Sequence, residues 1–129
     1  MIAASQNFDL DLKFGLAWEE QVRKIFEDDG RIEVKTERDI WHKTGNIAVE
    51  IGYKDRPSGL STTDAKWWIQ VLTIQGEFHT ALIFKVENFR KLVKQLVETG
   101  KADIVKGGDG AQSELVRVPL KELFNGKSD

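Results

Sequence analysis

Residues 31–53 read RIEVKTERDIWHKTGNIAVEIGY, and this stretch decides the predicted fold. Both of its ends alternate apolar with polar residues, which is the pattern of strands that bury one face. The apolar positions are Ile32, Val34, Ile47, Val49 and Ile51. We therefore predict strands near 31–38 and 46–53. The segment between them is short and contains the turn-rich sequence HKTGN at 42–46, which favours an antiparallel hairpin.

The register of this hairpin follows from its core. Residues that pair directly across two strands point to the same face of a sheet. If the apolar residues of both strands face one core, the polar residues that share the opposite face are Glu33, Lys35, Glu37, Asp39 and Glu50. With the turn centred between His42 and Lys43, Glu50 lies opposite Lys35. The predicted register therefore brings carboxylates and a lysine together.

Carboxylates in close proximity repel one another unless a cation or a proton relieves them, so a hard divalent ion is the natural occupant. Glu33 and Glu50 are accordingly candidate ligands for Mg²⁺ or Mn²⁺. Asp39, roughly 13 Å along the strand from Lys35, is the weaker candidate. Lys35 can orient or deprotonate a water, or stabilise charge on a phosphoryl group. The structural alternative is a solvated face on which these side chains form ordinary cross-strand pairs.

A helix is predicted over 15–28, with Gly30 as its terminator. Its apolar stripe consists of Trp18, Val22, Ile25 and Phe26. Glu19 borders this stripe, so its carboxylate can lean towards the sheet and add a third acid to the site. The alternative is that Glu19 is an ordinary surface acid.

The rest of the chain completes a mixed α/β or α+β domain with a mixed β-sheet flanked by helices. We predict a short helix opening at Ser61-Thr62-Thr63-Asp64 and running through Trp68, because this run is typical of an N-cap. The remaining predicted elements are a hairpin over 69–74 and 78–86, an amphipathic helix carrying Phe89, Leu92, Val93, Leu96 and Val97, and strands near 102–106 and 114–118. One domain spans 1–129 and ends in a short polar tail at 125–129.

The composition narrows the functional classes. Nineteen Lys and Arg against 21 Asp and Glu give a net charge of −2, so no global positive field attracts nucleic acid. The absence of cysteine excludes disulfides and thiolate metal sites and favours a cytoplasmic location. Apolar runs such as Ala81-Leu82-Ile83-Phe84 are far shorter than a membrane-spanning helix requires, so we expect no membrane association.

The sequence Ile32-Glu33-Val34-Lys35 resembles the acid-x-lysine motif of the PD-(D/E)XK nuclease superfamily, in which a helix carrying an acid precedes the motif, here Glu19. Further segments are similar to small phage-encoded, endonuclease-like proteins, and together they cover most of the chain: TGNIAVE at 44–50, PSGLSTTDAKW at 57–67 and VKGGD at 105–109. The resemblance implies a restriction-endonuclease-like core, Mg²⁺ or Mn²⁺, DNA as the substrate and phage or prokaryotic DNA processing. It also permits a homodimer, and for a phage protein it implies the host cell cytoplasm.

The order of the motif departs from that superfamily, which places an acid on one strand and the acid-x-lysine on the next. Here the acid-x-lysine is on the earlier strand, and Gly52 occupies the place of a lysine after Glu50. Two assignments stay open. Either Glu50 is the second-strand acid, Lys35 comes from the neighbouring strand and Glu33 or Asp39 is the other ligand, or Glu33 and Lys35 form the motif and Glu50 completes the site.

Candidate nucleic-acid contacts flank this acidic face. The basic ones are Lys43, Arg56 and Lys66, and the hydroxyls of Ser61 and Thr62 at a predicted helix N-terminus are candidate phosphate donors. A solvated basic edge and simple helix capping explain the same residues equally well.

The resulting hypothesis is a Mg²⁺- or Mn²⁺-dependent endodeoxyribonuclease with Glu19, Glu33, Lys35 and Glu50 as its catalytic residues, three of them metal ligands: Glu19, Glu33 and Glu50. The alternative is a non-catalytic nucleic-acid-binding or assembly protein that retains the nuclease fold. The glycine at 52 and the acidic pI of about 5.7 motivate this alternative.

Overall fold

The computed structural model describes residues 2–27 and 31–125, with side chains from residue 11 onward except Asp109. This part of the chain forms three α-helices, seven strands and short 3₁₀ turns. The helices are α1 Ile2–Glu27, α2 Ile40–Thr44 and α3 Val86–Glu98. The strands are β1 Ile32–Glu37, β2 Asn46–Tyr53, β3 Arg56–Pro57, β4 Trp67–Ile74, β5 Glu77–Lys85, β6 Asp103–Gly107 and β7 Ser113–Pro119.

The strands form two sheets. One has the order β1-β4-β5, with β1 parallel to β4 and β5 antiparallel to β4. The other has the order β3-β2-β7-β6 and is antiparallel throughout. The predicted mixed α+β class is confirmed. No helix in residues 2–27 or 31–125 is long and apolar enough to cross a membrane.

Several elements that were predicted from neighbouring residues in the sequence are present in the structure. The β4–β5 hairpin turns at Gln75 and Gly76, both with positive φ. Helix α3 buries Phe89, Val93 and Leu96 from its predicted stripe. The predicted strands near 102–106 and 114–118 are β6 and β7, which pair antiparallel. The end of the predicted polar tail, 126–129, lies outside the described residues.

The predicted hairpin between β1 and β2 is wrong, because the segment between these strands folds into the helix α2. Trp41 is buried, and its Nε1 donates a 2.7 Å hydrogen bond to the carbonyl oxygen of Thr73 at the end of β4. Gly45 ends the helix at φ 75°, with its N–H donating to the carbonyl oxygen of Trp41. The chain therefore leaves β1 through a packed helical turn, and β2 joins the other sheet.

The predicted helix through Trp68 is also wrong, since β4 begins at Trp67. The residues before it form a 3₁₀ turn over Gly59–Ser61 and a loop. Arg90 of α3 fixes this loop by donating to the carbonyl oxygens of Leu60 and Thr63, both at 2.7 Å. Strand alternation separates the two tryptophans, so Trp68 is fully buried and Trp67 half-buried.

Helix α1 exists as predicted but is longer at its N-terminal end, and its stripe is mostly uncovered. Ile25 is buried, whereas Trp18, Val22 and Phe26 are exposed. Three of the four stripe positions are therefore open to solvent. The predicted helix end at residue 28 and its terminator Gly30 lie outside the described residues.

The main core lies between the two sheets and α3. Its buried members are Trp41, Ile47, Val49, Leu60, Trp68, Leu72, Val86, Phe89, Val93, Leu96, Ala102, Val116, Val118 and Leu123. Gly59 allows the 3₁₀ turn at Gly59–Ser61 to pack against β2. It has φ +54°, and a Cβ at this position would lie 2.2 Å from the carbonyl oxygen of Glu50. Only a glycine allows the 3₁₀ turn to approach β2 this closely.

Replacement of Gly59 by alanine is expected to destabilise the protein more than the same change at Gly76. Both glycines have positive φ, but no atom lies within 4 Å of the position of a Cβ at Gly76. Gly76→Ala should therefore lower the free energy of unfolding by about 1 kcal/mol from backbone strain alone. Gly59→Ala adds the collision with β2, and denaturant unfolding of both variants measures the difference. Equal losses would contradict this packing.

Candidate functional site

The charged side chains of strand β1 lie on the core-facing side of the sheet. Glu33, Lys35 and Glu37 are half-buried, whereas Val34 is 53% exposed. In the parallel register with β4, these three residues stand beside Trp68, Gln70 and Leu72, all fully or nearly fully buried. Paired residues share a face of the sheet, so the charged residues lie on the core side. The expectation that Ile32 and Val34 face the core is wrong.

We call Glu33, Lys35 and Glu37 the β1 charged row. That they share one face was predicted and is confirmed, because alternation fixes it in any register. Successive members lie roughly 6.6 Å apart along the strand, which places the ammonium-bearing Lys35 between two carboxylate-bearing residues. Among residues 2–27 and 31–125, neither Glu33 nor Lys35 has a hydrogen-bonding or ion-pairing partner. Their charges are therefore available to a ligand.

Glu37 is held by a chain of hydrogen bonds that begins in the core. The indole N–H of Trp68 donates to Gln70 Oε1 at 2.8 Å, and Gln70 Nε2 donates to Glu37 Oε1 at 3.0 Å. The backbone N–H of Ala48 on β2 donates to the same oxygen at 2.6 Å. Glu37 thus joins the edge of β2 to the β1–β4 sheet. Within the described part of the chain, no group donates to Oε2.

Burial raises the pKa of Glu37, and the hydrogen bonds from Ala48 and Gln70 offset only part of this effect. Partial desolvation favours the neutral carboxyl, while donors favour the carboxylate. A carboxyl whose pKa is raised by burial beside other charged groups is a candidate functional residue.

Glu50 does not lie opposite Lys35, so the predicted register is wrong. Lys35 pairs with Gln70, and Glu50 pairs with Leu115 on β7. The Glu50 carboxylate accepts hydrogen bonds from the hydroxyls of Ser58 at 2.9 Å and Ser113 at 3.5 Å. It is thus anchored between β2, the β3 loop and β7, and within the described part of the chain no hydrogen bond or ion pair joins it to the β1 charged row.

Packing accounts for the glycine at the position of the expected lysine. Gly52 is buried, and a Cβ there would lie 3.2 Å from the carbonyl oxygen of Arg56 and 3.3 Å from Glu114 Cβ. The two-residue turn at Lys54 and Asp55, both with positive φ, folds β3 back onto this position. A larger side chain would have to displace that hairpin.

Glu19 is exposed on α1, beside Trp18 and Val22, and among the described residues no hydrogen bond or ion pair joins it to the β1 charged row. Residues 2–27 and 31–125 contain no cluster of three or more His, Cys, Asp or Glu that could hold a metal ion. The predicted three-glutamate set of Glu19, Glu33 and Glu50 is therefore not assembled. The acids that do share one strand face are Glu33 and Glu37.

The five candidate nucleic-acid contacts are all exposed: Lys43, Arg56, Ser61, Thr62 and Lys66. Arg56 and Ser61 line a cleft of about 610 Å³ together with Tyr53 and Lys106. The Ser61 hydroxyl donates to the carbonyl oxygen of Ile51 at 2.8 Å, so it also has a structural role. Lys43 is on α2 and Lys66 precedes β4, so the structure distributes these residues over more than one surface.

Gln70 was missed in the sequence, although it carries a usable signal. It is the single amide in the apolar strand sequence WWIQVLTI at 67–74 and is 1% exposed. Buried amides require partners, and the partners of Gln70 are Trp68 and Glu37. A lone amide in a buried strand thus marks the position next to the charged row.

Comparison with known proteins finds no family model, no curated protein and no solved structure that matches the chain.

Replacement of Glu37 by glutamine is expected to stabilise the protein at neutral pH. Because its pKa is raised on folding, the native state binds the Glu37 proton more tightly than the unfolded chain. The free energy of unfolding therefore falls as the pH rises through the interval between the two pKa values. Glutamine retains an acceptor for Ala48 and carries no charge.

The gain from Glu37→Gln should shrink towards zero below the ordinary pKa of glutamate, where both forms are neutral. Denaturant unfolding at several pH values measures this, and the exposed Glu77→Gln variant is the control. A loss of stability that is larger at neutral than at acidic pH would show that the carboxylate, not the neutral acid, suits this position.

Proposed function

We propose that the protein is a metal-dependent endonuclease that hydrolyses DNA phosphodiester bonds, with the β1 charged row as its catalytic centre. The inverted burial of β1 is the observation that supports this most. A strand that exposes Val34 and half-buries two glutamates and a lysine departs from the usual pattern for stability. Such departures concentrate at functional sites, where the chemistry requires the charges.

The residue types suit the reaction. Carboxylate oxygens of Glu33 and Glu37 are the ligands that Mg²⁺ and Mn²⁺ prefer, and Gln70 holds the Glu37 carboxylate in place. When bound, such an ion would polarise the phosphoryl oxygen and lower the pKa of a water. Lys35 would orient the attacking water and stabilise the charge that develops as one P–O bond forms and the other breaks. The proposed centre does not include Glu19 or Glu50.

The wider proposal follows the resemblance of Glu33-Val34-Lys35 to the acid-x-lysine motif. It comprises a restriction-endonuclease-like core, DNA as the partner and a role in phage or prokaryotic DNA processing in the cytoplasm. In this chain the motif strand pairs in parallel with β4, and the acidic residue Glu37 follows two positions after the lysine.

Cleavage of labelled DNA tests the proposal. Duplex, single-stranded and four-way-branched substrates are incubated with Mg²⁺, Mn²⁺ or a chelator. We expect cleavage only when the metal is present. The cleavage rate should fall by about 100-fold or more in Lys35→Met and Glu33→Gln, because that is the usual effect of removing a group that assists proton transfer or stabilises charge. Lys91→Met on the exposed side of α3 is the matched control and should cleave normally. Equal cleavage by all variants would contradict the assignment.

A second candidate function is non-catalytic binding of nucleic acid. Two observations favour it: the absence of a three-ligand metal cluster in the described part of the chain, and the engagement of Glu50 by two serines. On this account the exposed cations contact phosphates and no bond is cut.

Salt-dependent binding separates the two candidates. For a binding protein, the logarithm of the association constant should fall by about 0.9 per phosphate contact for each unit of log salt on duplex DNA. Lys43→Ala, Arg56→Ala and Lys66→Ala should each lower that slope and weaken binding, whereas Glu33→Gln should leave it unchanged. Fluorescence anisotropy over a salt series measures both. Metal-dependent cleavage would exclude this second candidate.

A further inference from the structure

Helix α1 carries an aromatic surface that its own chain leaves uncovered. The helix has 26 residues and is therefore about 39 Å long. Phe14, Trp18 and Phe26 are 67%, 53% and 62% exposed, and the rings of Phe14 and Trp18 meet edge to face at 6.1 Å. At 100° per residue these side chains, Val22 and the buried Ile25 occupy one side of the helix. We call this side the α1 stripe.

The three-stranded sheet has a matching apolar face that is exposed on its two outer strands. Val34, Ile69 and Ile83 form a row straight across β1, β4 and β5, and Val34 and Ile83 are 53% and 41% exposed. This row lies opposite the core side that holds Trp68 and Leu72. Ile69 and Ile25 of α1 are both buried, and neither belongs to the main core. We call this the outer sheet face.

We propose that the chain forms a closed dimer in which the α1 stripe of each copy packs on the outer sheet face of the other. A sheet with an apolar outer face is stably covered by a helix. The sole α1 side chain buried within residues 11–27 is Ile25 near its C-terminal end, so most of the stripe is available to a partner. A second copy supplies both complementary surfaces at once, and a two-fold axis satisfies both.

The buried area is sufficient for a stable dimer. Aromatic side chains present about 150–250 Å² each, so their exposed fractions leave roughly 400 Å² on the α1 stripe when Val22 is included. Covering it removes a similar area from the outer sheet face. Two reciprocal contacts then bury roughly 1,600 Å², the size of a standard protein–protein interface. Apolar patches of this extent on a protein surface are often functional.

Sedimentation of the full chain over a concentration series tests the proposal. We expect a monomer–dimer equilibrium whose dissociation constant rises by roughly 30-fold in Trp18→Glu, since a central aromatic anchor is worth about 2 kcal/mol or more. Val34→Lys on the sheet should weaken the dimer comparably. Lys24→Glu on the opposite side of α1 is the control and should leave it unchanged.

Engineered cysteines identify the contact directly, because the chain has no cysteine of its own. A mixture of separate Val22→Cys and Val34→Cys proteins should form a disulfide-linked pair of unlike chains, while Lys24→Cys with Val34→Cys should not. Three results would each overturn the proposal. The first is a monomer at all concentrations, and the second is a dimer that Trp18→Glu weakens but Val34→Lys does not. The third is a Val22→Cys/Val34→Cys double variant that forms its disulfide only within one chain. The last result would show α1 folded onto its own sheet.

Discussion

The parallel pairing of β1 with β4 is the constraint on which the site depends. Parallel neighbours require a long crossover, here residues 38–66, and this crossover contributes β2 and β3 to a second sheet before the chain returns as β4. The indole of Trp41 holds the beginning of the crossover against the end of β4. With the strand direction fixed, the Trp68 side of β4 determines which face of β1 is inside. That face carries Glu33, Lys35 and Glu37.

The two sheets meet where Glu37 accepts the N–H of Ala48. This contact satisfies a backbone donor at the open edge of β2, which would otherwise lie unpaired near the core. It also places a carboxyl whose pKa burial raises at the end of the charged row. The Glu37 carboxyl is therefore both the group whose ionisation lowers the stability of the fold and a group with a proposed role in catalysis. Such a combination is expected where function requires a charge in a partly desolvated place.

Local signals predicted the local elements well. The apolar stripe of α3, the Gly76 turn and the β6–β7 pair each depend on residues near in sequence. The pairing of β1 could not be predicted, because HKTGN resembles a turn and the five residues of α2 contain only one buried anchor, Trp41. The predicted register also required the apolar residues of both strands to face the core. That assumption fails for Val34, since the outer sheet face is itself apolar.

For the candidate site, alternation alone predicted that Glu33, Lys35 and Glu37 share one face, and the structure agrees. Glu50 was placed in the site by a predicted β1–β2 pairing that the structure does not contain. Gln70 was not placed there because it is far from β1 in the sequence and becomes its neighbour only through the β1–β4 pairing. Both misses concern pairing between strands that are far apart in the chain. No periodicity within a single strand encodes that information.

The central claim is that the β1 charged row binds a divalent cation. The most direct measurement is paramagnetic broadening of amide resonances by substoichiometric Mn²⁺, with Glu33→Gln as the comparison. We predict broadening centred on Glu33, Lys35, Glu37 and their neighbours Ala48 and Gln70, and its loss in the variant. Broadening centred on Glu50 and Ser58, or spread evenly over surface acids and unchanged in the variant, would contradict the account.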